Sequence, residues 1–292
     1  MIEQNTLFKH IRHIQMIARQ NVEEYFSGAY RSIFKGKGLE LEDIREYQPG
    51  DDIRFMNWNV TARSATPFIK IFREERELSV ILMVDISTSS KFSHTDRLKS
   101  DLIAELAAIL ALSAIHNQDR VGLLLFSSEI ELYLPPQKSV QHVLRMIREL
   151  IYFKPKHSGT NLKKALNFMG KLHKRRGICF LISDFLTDNP SEQIRLIAKK
   201  HELIACHVYD SYEKNFTPQG LVTLRDLETN QELIIDTNDP LFQKQFQTDS
   251  EAHFTNIKNT FQFAGADFIS LNTSELPVRV LQKFFRSKSK KI

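Results

Sequence analysis

Asp85, Ser87 and Ser89 place a carboxylate and two hydroxyls at alternate positions of one short stretch. All three are hard oxygen donors, which suits Mg²⁺ better than zinc or copper; Mn²⁺ and Ca²⁺ are compatible with the same donors. Two residues far along the chain extend the set, Thr160 and Asp184. The five together are two carboxylates and three hydroxyls, with no thiolate and no imidazole. Such a set can hold one Mg²⁺ with waters and leave a position for an incoming carboxylate.

The elements that must carry these side chains follow from the hydropathy pattern. Asp85 closes the apolar run that starts at Ser79, which reads as a parallel strand buried on both faces. Asp184 closes a second such run, Gly177–Ser183. In open α/β sheets ligands sit beyond the carboxyl ends of the strands, at the point where strand order reverses. A reversal between these two strands would put both carboxylates at that crevice. Thr160 is expected to open a helix with Leu162, Ala165, Leu166, Met169 and Leu172 on one face. Between them lie a helix to about His116, capped by Thr95 or Asp96, with apolar residues around most of its circumference. A strand at Val121–Phe126 follows, then an edge strand Glu129–Leu134 stopping at Pro135-Pro136, and a helix Val140–Tyr152 capped by Ser139. Downstream come a helix from Pro190 to about Lys200 and a strand Leu203–Tyr209. A hairpin of Leu221–Asp226 and Glu232–Asp236 across Glu228-Thr229-Asn230 is next. A helix Leu241–Phe263, a strand Asp267–Leu271 and a helix Glu275–Phe285 close the pattern. Alternation of this kind predicts an α/β fold, a doubly wound, mostly parallel sheet flanked by helices.

Domain boundaries follow. Residues 1–77 read as an N-terminal helix, over 6–26, with a small β extension broken at Ser27-Gly28 and Gly36-Lys37-Gly38. Strand-like stretches in it are Leu39–Tyr47, Asp52–Trp58 and Phe68–Arg73. Residues 78–287 form the main domain, with the hairpin insertion at 220–236, and 288–292 form a basic tail. With 42% apolar and 26% charged residues among 292, the chain reads as globular. Cys179 and Cys206 fall in apolar strands and read as buried free thiols, fitting a reducing cytoplasm. Lys9, His10, Arg12 and His13 interrupt the first apolar residues, so no signal peptide is expected. The longest apolar window, Leu102–Ile115, is too short to span a bilayer. The net charge of +5 is mild and its basic clusters, Lys171–Arg176 and Arg286–Lys291, lack any recognition motif, so a nucleic-acid partner is not expected. Asp51, Asp52 and Glu42-Asp43 beside Arg54 and Arg45 read as an ion-paired turn, His10 and His13 as a surface face, Trp58 as a packing anchor, and Asp210 as a turn residue.

The pattern Asp85-x-Ser87-x-Ser89, then Thr160, then Asp184 after a strand resembles the metal-ion-dependent adhesion site of von Willebrand factor A domains, over about residues 78–287. That resemblance implies that these five residues surround the ion, directly or through water, and that a partner's Asp or Glu completes the shell. The stretch Gly38–Asp52, with Asn57-Trp58, Ala62-Arg63 and Phe72–Glu77, is similar to the bacterial "domain of unknown function 58" family, which carries a von Willebrand A-like domain. Asn161 stands where that family often has Asp. The likeness implies a non-enzymatic, Mg²⁺-dependent protein-binding adaptor that works with a MoxR-type AAA+ ATPase in assembling or maturing a client. Two alternatives stay open. One is a phosphohydrolase with Asp85 as nucleophile, although such enzymes need a second acid where Ser87 stands. The other is a scaffold with a vacant metal site. No GxxxxGK[ST] loop is present, so ATP binding of that kind is not expected.

Overall fold

The computed structural model describes residues 39–289, apart from 65, 75–77, 92, 95–96, 216 and 226–231, together with Met16. The expected first helix, its His10 and His13, the hairpin tip and the last residues of the tail lie outside the described residues, as do Thr95 and Asp96; the helix they were expected to cap starts at Lys99 with Leu98 at its N-cap and no side-chain cap. The chain divides into two compact units, one within Phe34–Leu78 and one from Ser79 onward.

The smaller unit is a two-stranded antiparallel ribbon, β1 (Leu39–Glu46) against β2 (Phe68–Glu74), with a bulge between Leu41 and Asp43. The connection is held by ion pairs. Both terminal guanidinium nitrogens of Arg45 donate to Asp51, each at 2.8 Å, and Asp51 also accepts the Gln48 amide at 2.9 Å. Asp52 pairs with Arg54 at 2.6 Å and accepts the Arg54 amide at 3.0 Å. The acidic turn is therefore ion-paired. The strand expected at Asp52–Trp58 is instead a 3-10 turn, Ile53–Phe55, a single bridge from Met56 to Ile69, and a short helix α1 (Trp58–Thr61). Asp52 and Asn57 explain the difference: each side chain accepts a backbone N–H two or three residues on, which turns the chain and competes with extended pairing. Trp58, expected as a packing anchor, is 66% exposed.

The larger unit is built on a six-stranded sheet. Its strands are β3 (Ser79–Asp85), β4 (Arg120–Phe126), β5 (Ile130–Gln137), β6 (Ile178–Ser183), β7 (Glu202–Tyr209) and β10 (Asp267–Asn272). The order is β10-β7-β6-β3-β4-β5. All neighbours run parallel except β5, the antiparallel edge. That edge strand continues through Pro135-Pro136 rather than stopping before them. An outermost strand has one side without ladder partners, so a missing N–H is tolerated there. A hairpin of β8 (Leu221–Arg225) and β9 (Glu232–Asp236) stands apart from this sheet.

Helices cover both faces. One face carries α2 (Lys99–His116), which packs on β3, β4 and β7 and against α3 (Val140–Tyr152) and α7 (Pro277–Ser289). The other carries α4 (Leu162–Leu172), α5 (Ser191–Lys200) and α6 (Pro240–Phe263). Their apolar residues Leu166, Ile194, Ile257 and Phe261 join Ile81, Met83, Cys179 and Leu181 in one core. The strands show no polar face because both sides are covered. Cys179 and Cys206 are buried free thiols, and burial pushes the Cys179 thiol up to about 12. Gly177 allows β6 to enter: a Cβ there would lie 2.5 Å from the Ser79 carbonyl oxygen. Strand order reverses between β3 and β6, so the crevice at their carboxyl ends is a switch point.

Candidate functional site

At the end of β3 the chain turns on its own side chains. Asp85 accepts the Ser87 amide on Oδ1 at 2.9 Å, an Asx turn that halts the strand. A 3-10 turn, Thr88–Lys91, follows, and Ser90 donates its hydroxyl to the Ser87 carbonyl at 2.7 Å. This turn brings the Ser87 and Ser89 hydroxyl oxygens to 3.0 Å from each other. Asp85 and Ser87 are buried, and the three predicted donors of this loop are neighbours in space.

The end of β6 closes on the same point. Ser183 donates its hydroxyl to Asp85 Oδ2 at 2.7 Å and accepts the Phe185 amide at 2.9 Å. Asp184 follows, buried, and its negative charge is felt by Asp85. Phe185 holds a left-handed φ of 54°, which costs a non-glycine residue energy and is maintained by its fully buried ring against Phe261. Burial first, and Asp184 second, push the Asp85 carboxyl from 3.8 up to about 6. Asp184 is itself paired: Lys99, the first residue of α2, donates to Asp184 Oδ2 at 2.8 Å and to Glu213 Oε1 at 2.6 Å. Burial works against the Lys99 ammonium, but the two carboxylates outweigh it and raise its pKa.

Thr160 lies on the same rim. The adjoining Asn161 amide donates to the Ser127 carbonyl, just past β4, at 2.9 Å, and Thr187, just past β6, donates its hydroxyl to the Thr160 carbonyl at 3.2 Å. Gly159 supplies the positive φ of 78° that this approach needs. The loop is anchored by Glu131, whose Oε1 accepts from Ser127 Oγ and from the Lys156 and His157 amides, at 2.9, 3.0 and 2.9 Å. The N-cap of α4 is Asn161 rather than Thr160: its side chain accepts the Lys164 amide at 2.9 Å. Thr160 is thereby left outside the helix.

All five predicted residues lie on loops at the carboxyl end of the sheet, after β3 and β6 and before α4: Asp85, Ser87 and Ser89 are linked by hydrogen bonds, Asp184 acts on Asp85 through its charge, and Thr160 is tied to the rim through its backbone carbonyl. Among the described residues no three His, Cys, Asp or Glu side chains cluster as metal ligands, so a cation here would rest on hydroxyls and water as well as carboxylate. The donor set fits a hard ion: it is all oxygen, and its buried Asp85 faces a second negative charge. Asp210 is buried, not merely a turn residue. It caps a 3-10 turn, Ser211–Glu213, accepts from Thr273 Oγ1 at 2.9 Å, and pairs with His94. Lys99, Ser183, Glu131 and Glu213 were not anticipated. A hydroxyl closing the apolar β6 run, and a lysine at a helix N-terminus where acids are favoured, are the sequence signals for the first two.

The fold and the site define a class: an open, mostly parallel α/β sheet with carboxylate and hydroxyl side chains set at its switch point. The chain belongs to the family described as "Protein of unknown function DUF58", which matches residues 43–256. An uncharacterized protein of Mycobacterium tuberculosis is 30% identical over 268 residues, covering 90% of this chain and 84% of that protein. The uncharacterized Bacillus subtilis protein YeaD is 29% identical over 107 residues, 37% of this chain and 25% of its own length. Among solved structures, an aerotolerance-related membrane protein from Bacteroides fragilis shares the fold. Its TM-score is 0.50 at 12% identity, covering 74% of this chain and 100% of that one. Among the described residues no helix is long and apolar enough to cross a membrane.

Proposed function

We propose that this chain is a von Willebrand factor A-like, Mg²⁺-dependent protein-binding adaptor that acts with a MoxR-type AAA+ ATPase on a protein client. The observation that carries the reading is the convergence of Asp85, Ser87 and Ser89 at one rim, with Asp184 beside them and the Thr160 loop alongside. Asp85, Ser87, Ser89 and Thr160 would hold the ion, and Asp184 would act through water. When bound, the ion supplies an electrophilic anchor for a partner's Asp or Glu. The protein's part is to pre-orient the donors: Ser183 and the Ser87 amide hold the Asp85 carboxylate, and the Glu131 anchor holds the loop bearing Thr160. A binding role is favoured over phosphoryl transfer because the position two beyond Asp85, where a hydrolase needs its acid, is a buried serine.

The test is calorimetric titration with Mg²⁺ and capture of the AAA+ partner with and without EDTA. Asp85→Ala is expected to abolish both the heat and the capture while leaving the circular dichroism spectrum unchanged. Capture by that variant in chelator would overturn the bridging role.

A further inference from the structure

Lys99 occupies a place where elementary electrostatics opposes a cation. It is the first residue of α2, at the positive end of the helix dipole, and it is 1% exposed. A divalent ion in the neighbouring crevice would repel it further. Its ammonium is retained by two buried or half-buried carboxylates, Asp184 at 2.8 Å and Glu213 at 2.6 Å. Asp184 is engaged on both oxygens, because Oδ1 also accepts the Leu186 amide at 3.3 Å.

We propose that Lys99 is the built-in counter-cation of this site and sets its affinity for the metal. By pairing with Asp184 it offsets part of that charge and leaves Asp85 as the carboxylate that acts on the ion most directly. The ion is then held loosely enough to exchange, and it stays electron-poor enough to demand an anionic ligand from the partner. Glu213 shares the ammonium and so moderates the effect. The inference rests on the metal-binding reading above and concerns its regulation.

Calorimetric Mg²⁺ titration of four proteins tests it: wild type, Lys99→Met, Lys99→Met with Asp184→Asn, and Glu213→Gln. Lys99→Met exposes the Asp184 charge to the ion and is expected to tighten binding at least about tenfold. Adding Asp184→Asn should remove that gain, and Glu213→Gln alone should weaken binding several-fold. A merely structural lysine would move the melting temperature of Lys99→Met without tightening the metal. A folded Lys99→Met that binds Mg²⁺ no more tightly than wild type overturns the role of Lys99 and leaves the metal site standing. Should Lys99→Met fail to fold, Glu213→Gln decides: weaker binding supports the proposal and unchanged binding overturns it. Absence of binding by the wild type overturns the metal reading itself, and this inference with it.

Discussion

Asp85 combines two roles that pull against each other: structural hydrogen-bond acceptor and buried charge. Its folded pKa, raised from 3.8 to about 6 by burial and by Asp184, lies above that of the open chain. Between those values the folded state keeps a proton that the unfolded chain has lost, so the metal-free protein loses stability as pH rises through that window. Asp85→Asn keeps an acceptor for the Ser87 amide and removes the charge. In chelator at pH 7 it is expected to melt higher than wild type, by on the order of 1–3 kcal/mol, with the advantage gone below about pH 4. Thermal denaturation at the two pH values measures this, and a lower melting temperature at pH 7 would count against the buried-charge account.

At the scale of elements, the rim is built from loops that different strands tie down. The loop before α4 depends on β5 through one carboxylate, Glu131, which gathers a hydroxyl and two backbone amides. These hydrogen bonds outweigh burial and hold the Glu131 carboxyl below its ordinary range, so their stabilisation is present at neutral pH and lost as pH falls through the folded value. Glu131→Gln replaces charge-assisted bonds with weaker ones, at about 1–2 kcal/mol. The Lys156 and His157 amides should then exchange about tenfold faster with solvent, and Mg²⁺ should bind several-fold more weakly. Hydrogen exchange that is unchanged at those two amides would show that the loop is held by something else.

For the whole molecule, the site is stable because the layers beneath it are. α2 is buried almost all round, since it lies under α3 and α7 as well as on the sheet. Leu106, fully buried on it, cannot be trimmed without a cavity, and Leu106→Ala is expected to cost about 2–5 kcal/mol in thermal or urea denaturation. Metal bound to the folded state alone stabilises it by mass action. Mg²⁺ at about a hundred times its Kd should raise stability by about 2.7 kcal/mol in wild type and leave Asp85→Ala unmoved.

The order of strands and helices, and the rim on which Asp85 and Asp184 fall, were determined by the chain itself. An unbroken apolar run such as Ile178–Ile182 has few ways to be buried on both faces except as an inner parallel strand, and the carboxylates come just where such runs end. Only the tertiary structure decided what surrounds them. Lys99 and Glu213 are separated by 114 positions, Asp85 and Ser183 by 98, and neither pair leaves any periodic trace, because periodicity reports which face a residue is on and not what meets it there. Local hydrogen bonding also overrode pattern: Asn161 rather than Thr160 capped α4, and Asp52 and Asn57 bent an expected strand into turns. A side chain that captures a nearby amide acts within two or three residues, at a range where apolar spacing carries no information.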